Sequence, residues 1–256
     1  MLLVIDVGNT NTVLGIFSGE ELISDWRLST VKDRTIDEYG ILTRNLISLA
    51  GIDASRVDAI AISSVVPTLN ATLEEMSKIY FQIEPLFVEP GVKTGMPILY
   101  ENPHDVGADR ITNSVAAFTL YGGPAIVIDF GTATTFDVIN EKGEYLGGVI
   151  AAGPQIAAEA LFERTARLPR TSIKKPPKVI GKNTVHSIQS GIYHGYIVLV
   201  EGIVKEIREE LGTQARVIAT GGLSGTFSRD IKCIDDFNPH LTLLGLRIIY
   251  EKNRKS

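Results

Sequence analysis

A single cysteine, Cys233, stands among 256 residues, so an intramolecular disulfide framework is excluded. Cationic side chains are also scarce relative to acidic ones, 25 Lys and Arg against 30 Asp and Glu. The resulting net charge of −5 argues against broad binding to nucleic acid or to an anionic membrane, both of which call for a basic surface. No apolar run approaches the ~20 residues that a membrane span requires. The opening Met1-Leu2-Leu3-Val4-Ile5-Asp6 lacks a basic region ahead of an apolar core, so no signal peptide is expected and a cytoplasmic location is the default. Gly-x-x-x-x-Gly-Lys-Ser/Thr is missing too, which removes a P-loop mechanism as far as motifs can. Apolar residues, in contrast, make up 44% of a length that fits one large or two medium domains, enough for a full core in each.

The most informative stretch is Ala125-Ile126-Val127-Ile128-Asp129-Phe130-Gly131-Thr132-Ala133-Thr134-Thr135-Phe136-Asp137. An apolar run ends in a carboxylate, turns through glycine into hydroxyls, and resumes as an alternating strand. Glycine lets backbone approach a ligand, and the amides and hydroxyls of Thr132, Thr134 and Thr135 are uncharged donors suited to phosphate oxygens. Alone, the stretch is equally an ordinary hairpin with Asp129 as a solvated strand end. A second copy changes that balance: Leu2-Leu3-Val4-Ile5-Asp6-Val7-Gly8-Asn9-Thr10-Asn11-Thr12-Val13 has the same order, with Asn9 and Thr10 standing for Thr132 and Ala133. Each copy leads into two more alternating segments, which predicts a three-strand meander at the head of each half. A duplicated fold would turn the two bends towards one polyphosphate.

Between them, Thr35 and Glu38 form a capping box ahead of the stripe Ile36, Tyr39, Leu42, Leu46, Leu49, which Gly51 ends. Residues 57–66 read as a buried strand, Pro67 suits a helical first turn, and Leu69, Leu73, Met76 and Tyr80 form the next stripe before a short strand at 85–88. This order is that of an α/β layer arrangement with a mixed sheet. Residues 89–103, rich in Pro and Gly, read as a connector or substrate loop. Gly107, Ala108, Asp109 and Arg110 then open a helix with stripe Ile111, Val115, Phe118, Leu120, where the helix N-terminus favours an anion; the plainer reading makes Asp109 a cap and Arg110 solvated.

In the second half Pro154 opens a helix through Ile156, Ala160 and Leu161, and residues 164–178 form a basic loop whose Lys174-Lys175 pair reads as a solvated face. The longest helical pattern runs over 184–211. Its small residues Ser187, Gly191 and Gly195 mark either a dimer contact or a groove filled by another helix of the same chain. Residues 215–225 read as a strand entering a turn with Gly221, Gly222 and Gly225, against which a flat nucleobase can lie. A last stripe, Leu241, Leu244, Ile248, Ile249, closes the fold, and residues 252–256 look frayed.

Together, Asp6-Val7-Gly8-Asn9-Thr10, Asp129-Phe130-Gly131-Thr132-Ala133-Thr134-Thr135 and Thr220-Gly221-Gly222 resemble the two phosphate motifs and the adenosine motif of the acetate and sugar kinase/heat-shock-protein-70/actin superfamily. Gly107-Ala108-Asp109-Arg110 and Ser63-Ser64-Val65-Val66-Pro67 are similar to those of type III pantothenate kinases. The resemblance spans nearly the whole chain. It implies duplicated actin-like, ribonuclease H-like domains, each a mixed sheet flanked by helices, with an ATP cleft between them; the division is expected at 1–110 and 111–256. It further implies a homodimer that phosphorylates pantothenate from ATP, the first committed step towards coenzyme A, with a divalent metal such as Mg2+ and a monovalent cation, K+ or NH4+.

Carried over by position, Asp109 is the catalytic base, and Gly107, Ala108, Asp109 and Arg110 hold pantothenate with Tyr100 and Thr184. Asp6, Val7, Gly8, Asn9, Thr10, Asn11, Thr12 and Val13 meet the ATP phosphates and their metal, Thr132 binds nucleotide, and Asp129 holds the monovalent cation. Arg110, next to Asp109, is expected to depress its pKa and to clamp the pantothenate carboxylate or the phosphoryl group. A sugar or acetate kinase or an exopolyphosphatase shares the phosphate turns but lacks the 107–110 segment, and an actin-like or chaperone-like nucleotide switch is the non-enzymatic alternative, for which the chain is short.

Overall fold

The computed structural model describes residues 1–165, 168–222, 224–227 and 230–254. The chain forms two compact units, one of Met1–Met96, Tyr100–Ala116 and His240–Ser256, the other of Pro97–Leu99 and Ala117–Pro239. The units are therefore not the consecutive segments 1–110 and 111–256 expected from sequence. The last helix packs on the strands of the first unit, and the helix that follows Gly107 is divided between the two.

In the first unit β1 (Leu2–Val7), β2 (Asn11–Ser18) and β3 (Glu21–Ser29) form the expected antiparallel meander. Helix α1 (Ile36–Leu49) follows, and β4 (Ala59–Ser64) returns parallel to β1; α2 (Asn70–Phe81) and β5 (Leu86–Phe87) complete a sheet of order β3-β2-β1-β4-β5. The capping box is present in full, with Thr35 and Glu38 satisfying each other's backbone N–H groups. The buried face of α1 is Tyr39, Gly40, Thr43 and Ile47, whereas Leu49, assigned to the stripe by its spacing, is 85% exposed.

In the second unit β6 (Ala125–Phe130), β7 (Ala133–Ile139) and β8 (Tyr145–Ala152) repeat the meander. They follow α3 (Ala108–Tyr121). Helices α4 (Pro154–Glu163) and α5 (Thr184–Leu211) lead to β9 (Arg216–Thr220), which is parallel to β6. A one-turn helix α6 (Ser224–Phe227) follows the glycine turn, as expected, and the short β10 (Asp236–Phe237), not foreseen from sequence, completes the order β10-β9-β6-β7-β8, with α7 (Leu241–Asn253) last. Read from the meander edge, both sheets have one topology. Even the burial runs match: β1 and β6 bury every residue but the aspartate.

Each core lies between sheet and helices. Ile5, Leu14, Ile60, Leu73 and Met76 build the first, and Ile128, Phe136, Tyr196, Val200, Val217 and Phe227 the second. Helix α7 turns Leu243 and Leu246 inward and leaves Leu244 only half-buried, a shift of the face expected from spacing. Gly245 is required there, because a Cβ would lie 2.1 Å from the Thr112 carbonyl oxygen of α3. The helix extends to Asn253, two residues into the segment expected to fray; Lys255 and Ser256 lie outside the described residues, as do Ala166 and Arg167 of the basic loop and Leu223 of the glycine turn.

Candidate active site

Asp6 and Asp129 occupy the same place in the two sheets. Each is the fifth residue of the central strand. Asp6 faces Val13 and Ser63 on its neighbours, and Asp129 faces Thr135 and Thr220. Each carboxylate thus stands beside a buried hydroxyl residue at the C-terminal edge of a parallel strand pair, where open α/β sheets bind ligands.

The bends that follow differ by one residue, and the backbone corrects the alignment made from sequence. Gly8 N–H donates to Asn11 O at 2.9 Å and Gly131 N–H to Ala133 O at 3.1 Å, while Val7 pairs with Thr12 and Phe130 with Thr134. Thr10 therefore corresponds to Thr132, and Asn9 is the extra residue, exposed at the tip.

Both bends are braced from the residue after the third strand of the meander. Thr30 N–H donates to Thr10 O at 2.9 Å, and Gly153 N–H to Thr132 O at 3.1 Å. In the longer bend there is room for a side chain: the Thr30 hydroxyl donates to Gly8 O at 2.7 Å and lies 2.9 Å from the Thr12 hydroxyl. In the shorter one a Cβ on Gly153 would lie 2.1 Å from Thr132 O, so only glycine fits. Neither residue was singled out from sequence, since nothing local marks a strand end that reaches back twenty residues. Thr30→Val keeps the backbone brace and removes the hydroxyl bonds. At roughly 1 kcal/mol for each of the two bonds the upper bound is about a thirtyfold higher KM for a nucleotide held by this bend, read from steady-state kinetics against a smaller change in kcat.

Asp109 sits in the first turn of α3, where Gly107 O accepts from Ile111 N–H at 3.2 Å. It is not a cap ahead of the helix. Its Oδ1 instead accepts from the Arg110 N–H at 2.8 Å, satisfying one of the unpaired first-turn donors. A Cβ on Gly107 would fall 2.6 Å from that Oδ1 and 3.6 Å from Val65 Cγ1, and Val65 N–H donates to Val7 O at 3.0 Å. The ends of β1 and β4 and the start of α3 are thereby joined in the first unit. Burial pushes the Asp109 carboxyl above its ordinary value, outweighing the Arg110 backbone bond and charge that lower it. The expectation of a depressed pKa is thus reversed, because desolvation exceeds a neighbouring charge. Arg110 is itself buried.

Tyr100, at the end of the connector, is 36% exposed. In the second unit Gly221, at φ +92°, presses on Asp129: a Cβ there would lie 2.3 Å from its Oδ1. Thr184 is exposed as the first residue of α5, whose cap Asn183 accepts from His186 N–H at 2.8 Å. Lys175 of the basic loop pairs with Asp230 at 2.6 Å.

A family model described as type III pantothenate kinase matches residues 2–206. The chain belongs to the type III pantothenate kinase family. A type III pantothenate kinase of Koribacter versatilis is 56% identical over 266 residues, covering 100% of this chain and 97% of the relative. One of Moorella thermoacetica is 56% identical over 253 residues, covering 99% and 100%. Among solved structures, a Campylobacter jejuni protein described as a Baf family transcriptional activator matches with TM-score 0.63 and 19% identity over 98% of each chain. A ROK hexokinase of Thermus thermophilus matches with TM-score 0.54 and 12% identity over 99% of each. At those identities the likeness concerns the fold, duplicated and actin-like, which the pantothenate kinase family shares with sugar kinases.

Proposed function

We propose that the chain transfers the γ-phosphoryl group of ATP to the hydroxyl of pantothenate, giving 4'-phosphopantothenate in the cytoplasm as the first step towards coenzyme A. The observation that carries this reading is the half-buried, desolvated Asp109 carboxylate, which accepts from the Arg110 N–H at the start of α3 and lies against Gly107, beside the end of the strand that bears Asp6. Phosphoryl transfer asks an enzyme chiefly to align donor and acceptor and to offset charge. Asp109 accepts the hydroxyl proton, and its raised pKa makes it the stronger base. Arg110 offers its planar fork to the pantothenate carboxylate or the transferring group, and Gly107, Ala108 and Tyr100 shape the rest of that subsite.

The Asp6 bend, with Val7, Gly8, Asn9, Thr10, Asn11, Thr12 and Val13, meets the ATP phosphates, and Thr132 the nucleotide. Among the described residues no group of three or more His, Cys, Asp or Glu is arranged to hold a metal. A Mg2+ carried on the phosphates would meet the same bend, where Asp6 offers a carboxylate. Asp129, a hard oxygen donor against which the Gly221 backbone packs closely, suits K+ or NH4+. Such a cation supplies fixed positive charge where this chain has no P-loop lysine.

Helix α5 supports a homodimer. Gly191, Gly195, Val198 and Gly202 share one exposed face, and a Cβ at any of the three glycines meets open space, so no helix among the described residues fills that groove. Beside it α4 exposes Ile156 and Leu161. Thr184 begins the same helix and would reach pantothenate from there. Gly195→Leu is expected to halve the solution mass in light scattering; an unchanged dimer removes this face from the interface. For the reaction itself, incubation with ATP, Mg2+, K+ and pantothenate should yield phosphopantothenate by mass spectrometry, while sugars and acetate yield no product. Failure to form it, or turnover of ATP indifferent to pantothenate, removes the proposed activity.

A further inference from the structure

The connector at residues 89–103 is fastened at two places. Asn253 brackets Lys93, its Oδ1 accepting from the Lys93 N–H at 3.0 Å and its Nδ2 donating to the Lys93 carbonyl at 2.9 Å. Further along, Tyr145 N–H donates to Pro97 O at 2.9 Å and Leu99 N–H to Tyr145 O at 2.8 Å, so that Ile98 forms a one-residue parallel bridge on the edge strand β8. The docking register of the connector is thus set by which residue of β8 presents its backbone. That residue lies at an irregularity, because the pairing of β7 with β8 shifts between Val138 and Ile139. A bulge can migrate by a residue unless a side chain pins it.

Here Asp137 does so. It is fully buried, as is Tyr145. The Tyr145 hydroxyl donates to Asp137 Oδ1 at 2.8 Å and the Thr135 hydroxyl to Oδ2 at 3.1 Å. A buried carboxylate is tolerated only with such donors, and an apolar pair would pack as well without fixing direction. No role given so far to any residue uses this pair.

We propose that Asp137 and Tyr145 are positioning residues for pantothenate: by pinning the bulge they fix where the connector docks, and with it Tyr100, one peptide bond beyond Leu99. The inference rests on the reading of Tyr100 as a pantothenate contact. Tyr145→Phe and Asp137→Ala should raise KM for pantothenate at least fivefold, with KM for ATP and the K+ dependence within twofold of the unsubstituted enzyme. Asp137→Asn, which still accepts from Tyr145, should restore most of the loss. Hydrogen exchange at the Leu99 amide should quicken in Tyr145→Phe, a conservative change that checks the device even if Asp137→Ala does not fold.

In a Tyr100→Ala background the Tyr145→Phe change should add nothing further to KM. An unaltered pantothenate KM in Tyr145→Phe, while Tyr100→Ala raises it, overturns the positioning role alone. An unaltered KM in Tyr100→Ala removes the reading of Tyr100 and this proposal with it. A shift confined to the K+ dependence assigns Asp137 to Asp129 through Thr135 and equally overturns the proposal.

Discussion

Asp109→Asn is expected to lower kcat for pantothenate phosphorylation by about 10²–10⁴-fold, the range typical of a positioned general base, without loss of folding stability. The asymmetry follows from burial. The folded state raises the Asp109 pKa above its ordinary 3.8, so the folded protein binds that proton more tightly than the unfolded chain does. Stability therefore falls as pH rises from the ordinary value through the raised one, and the deficit persists at neutral pH. Asparagine is nearly isosteric, keeps an acceptor for the Arg110 N–H, and carries no charge to desolvate. Thermal unfolding at pH 7 should give a Tm equal to or above that of the unsubstituted protein, and the gap should close in acid. The same shift places the acid limb of kcat/KM above the ordinary carboxylate range. Wild-type turnover in the Asn variant would remove the base. A lowered Tm would show that the carboxylate's hydrogen bond, not its desolvation, dominates.

Gly221→Ala should abolish most activity by a different route. An alanine held at φ +92° is strained by about 1–2 kcal/mol. Its Cβ would in addition occupy the place of Asp129 Oδ1, 2.3 Å away, and crowd Phe130 N at 2.6 Å. Backbone on one side leaves the carboxylate as the group that moves. The expected outcome is a Tm lower by about 2–8 °C, at least a tenfold loss of kcat, and a K+ concentration for half-activation raised in the surviving activity. Asp129→Ala should match it in kinetics and not in stability. If Gly221→Ala loses stability yet keeps its normal K+ response, Asp129 is not the cation ligand.

Much of this architecture was legible in the chain. Capping residues, apolar spacing and the two Asp-x-Gly bends identified both meanders, the long α5 and the equivalent places of Asp6 and Asp129 in the two sheets, because each depends on residues adjacent or one helical turn apart. Errors arose where spacing left two faces open. Leu49 fits the stripe of α1 but is exposed, and α7 buries Leu243 and Leu246 in place of Leu244, since neighbouring elements choose among the faces a periodicity allows. The direction of the Asp109 pKa shift was misjudged for a related reason: the Arg110 charge is visible in the sequence, while the burial that outweighs it is not.

The sequence by itself determined the family, the duplicated α/β plan and the identity of the acidic and glycine residues at each bend, all of which are short-range patterns. Only the tertiary structure decided that Thr10 corresponds to Thr132, that Thr30 and Gly153 brace the two bends, that α7 returns to the first sheet, and that Asp137 holds Tyr145 beneath the connector. Those relations join residues far apart in the chain. They are set by strand register and by which backbone atoms come within bonding distance, and no local preference encodes either.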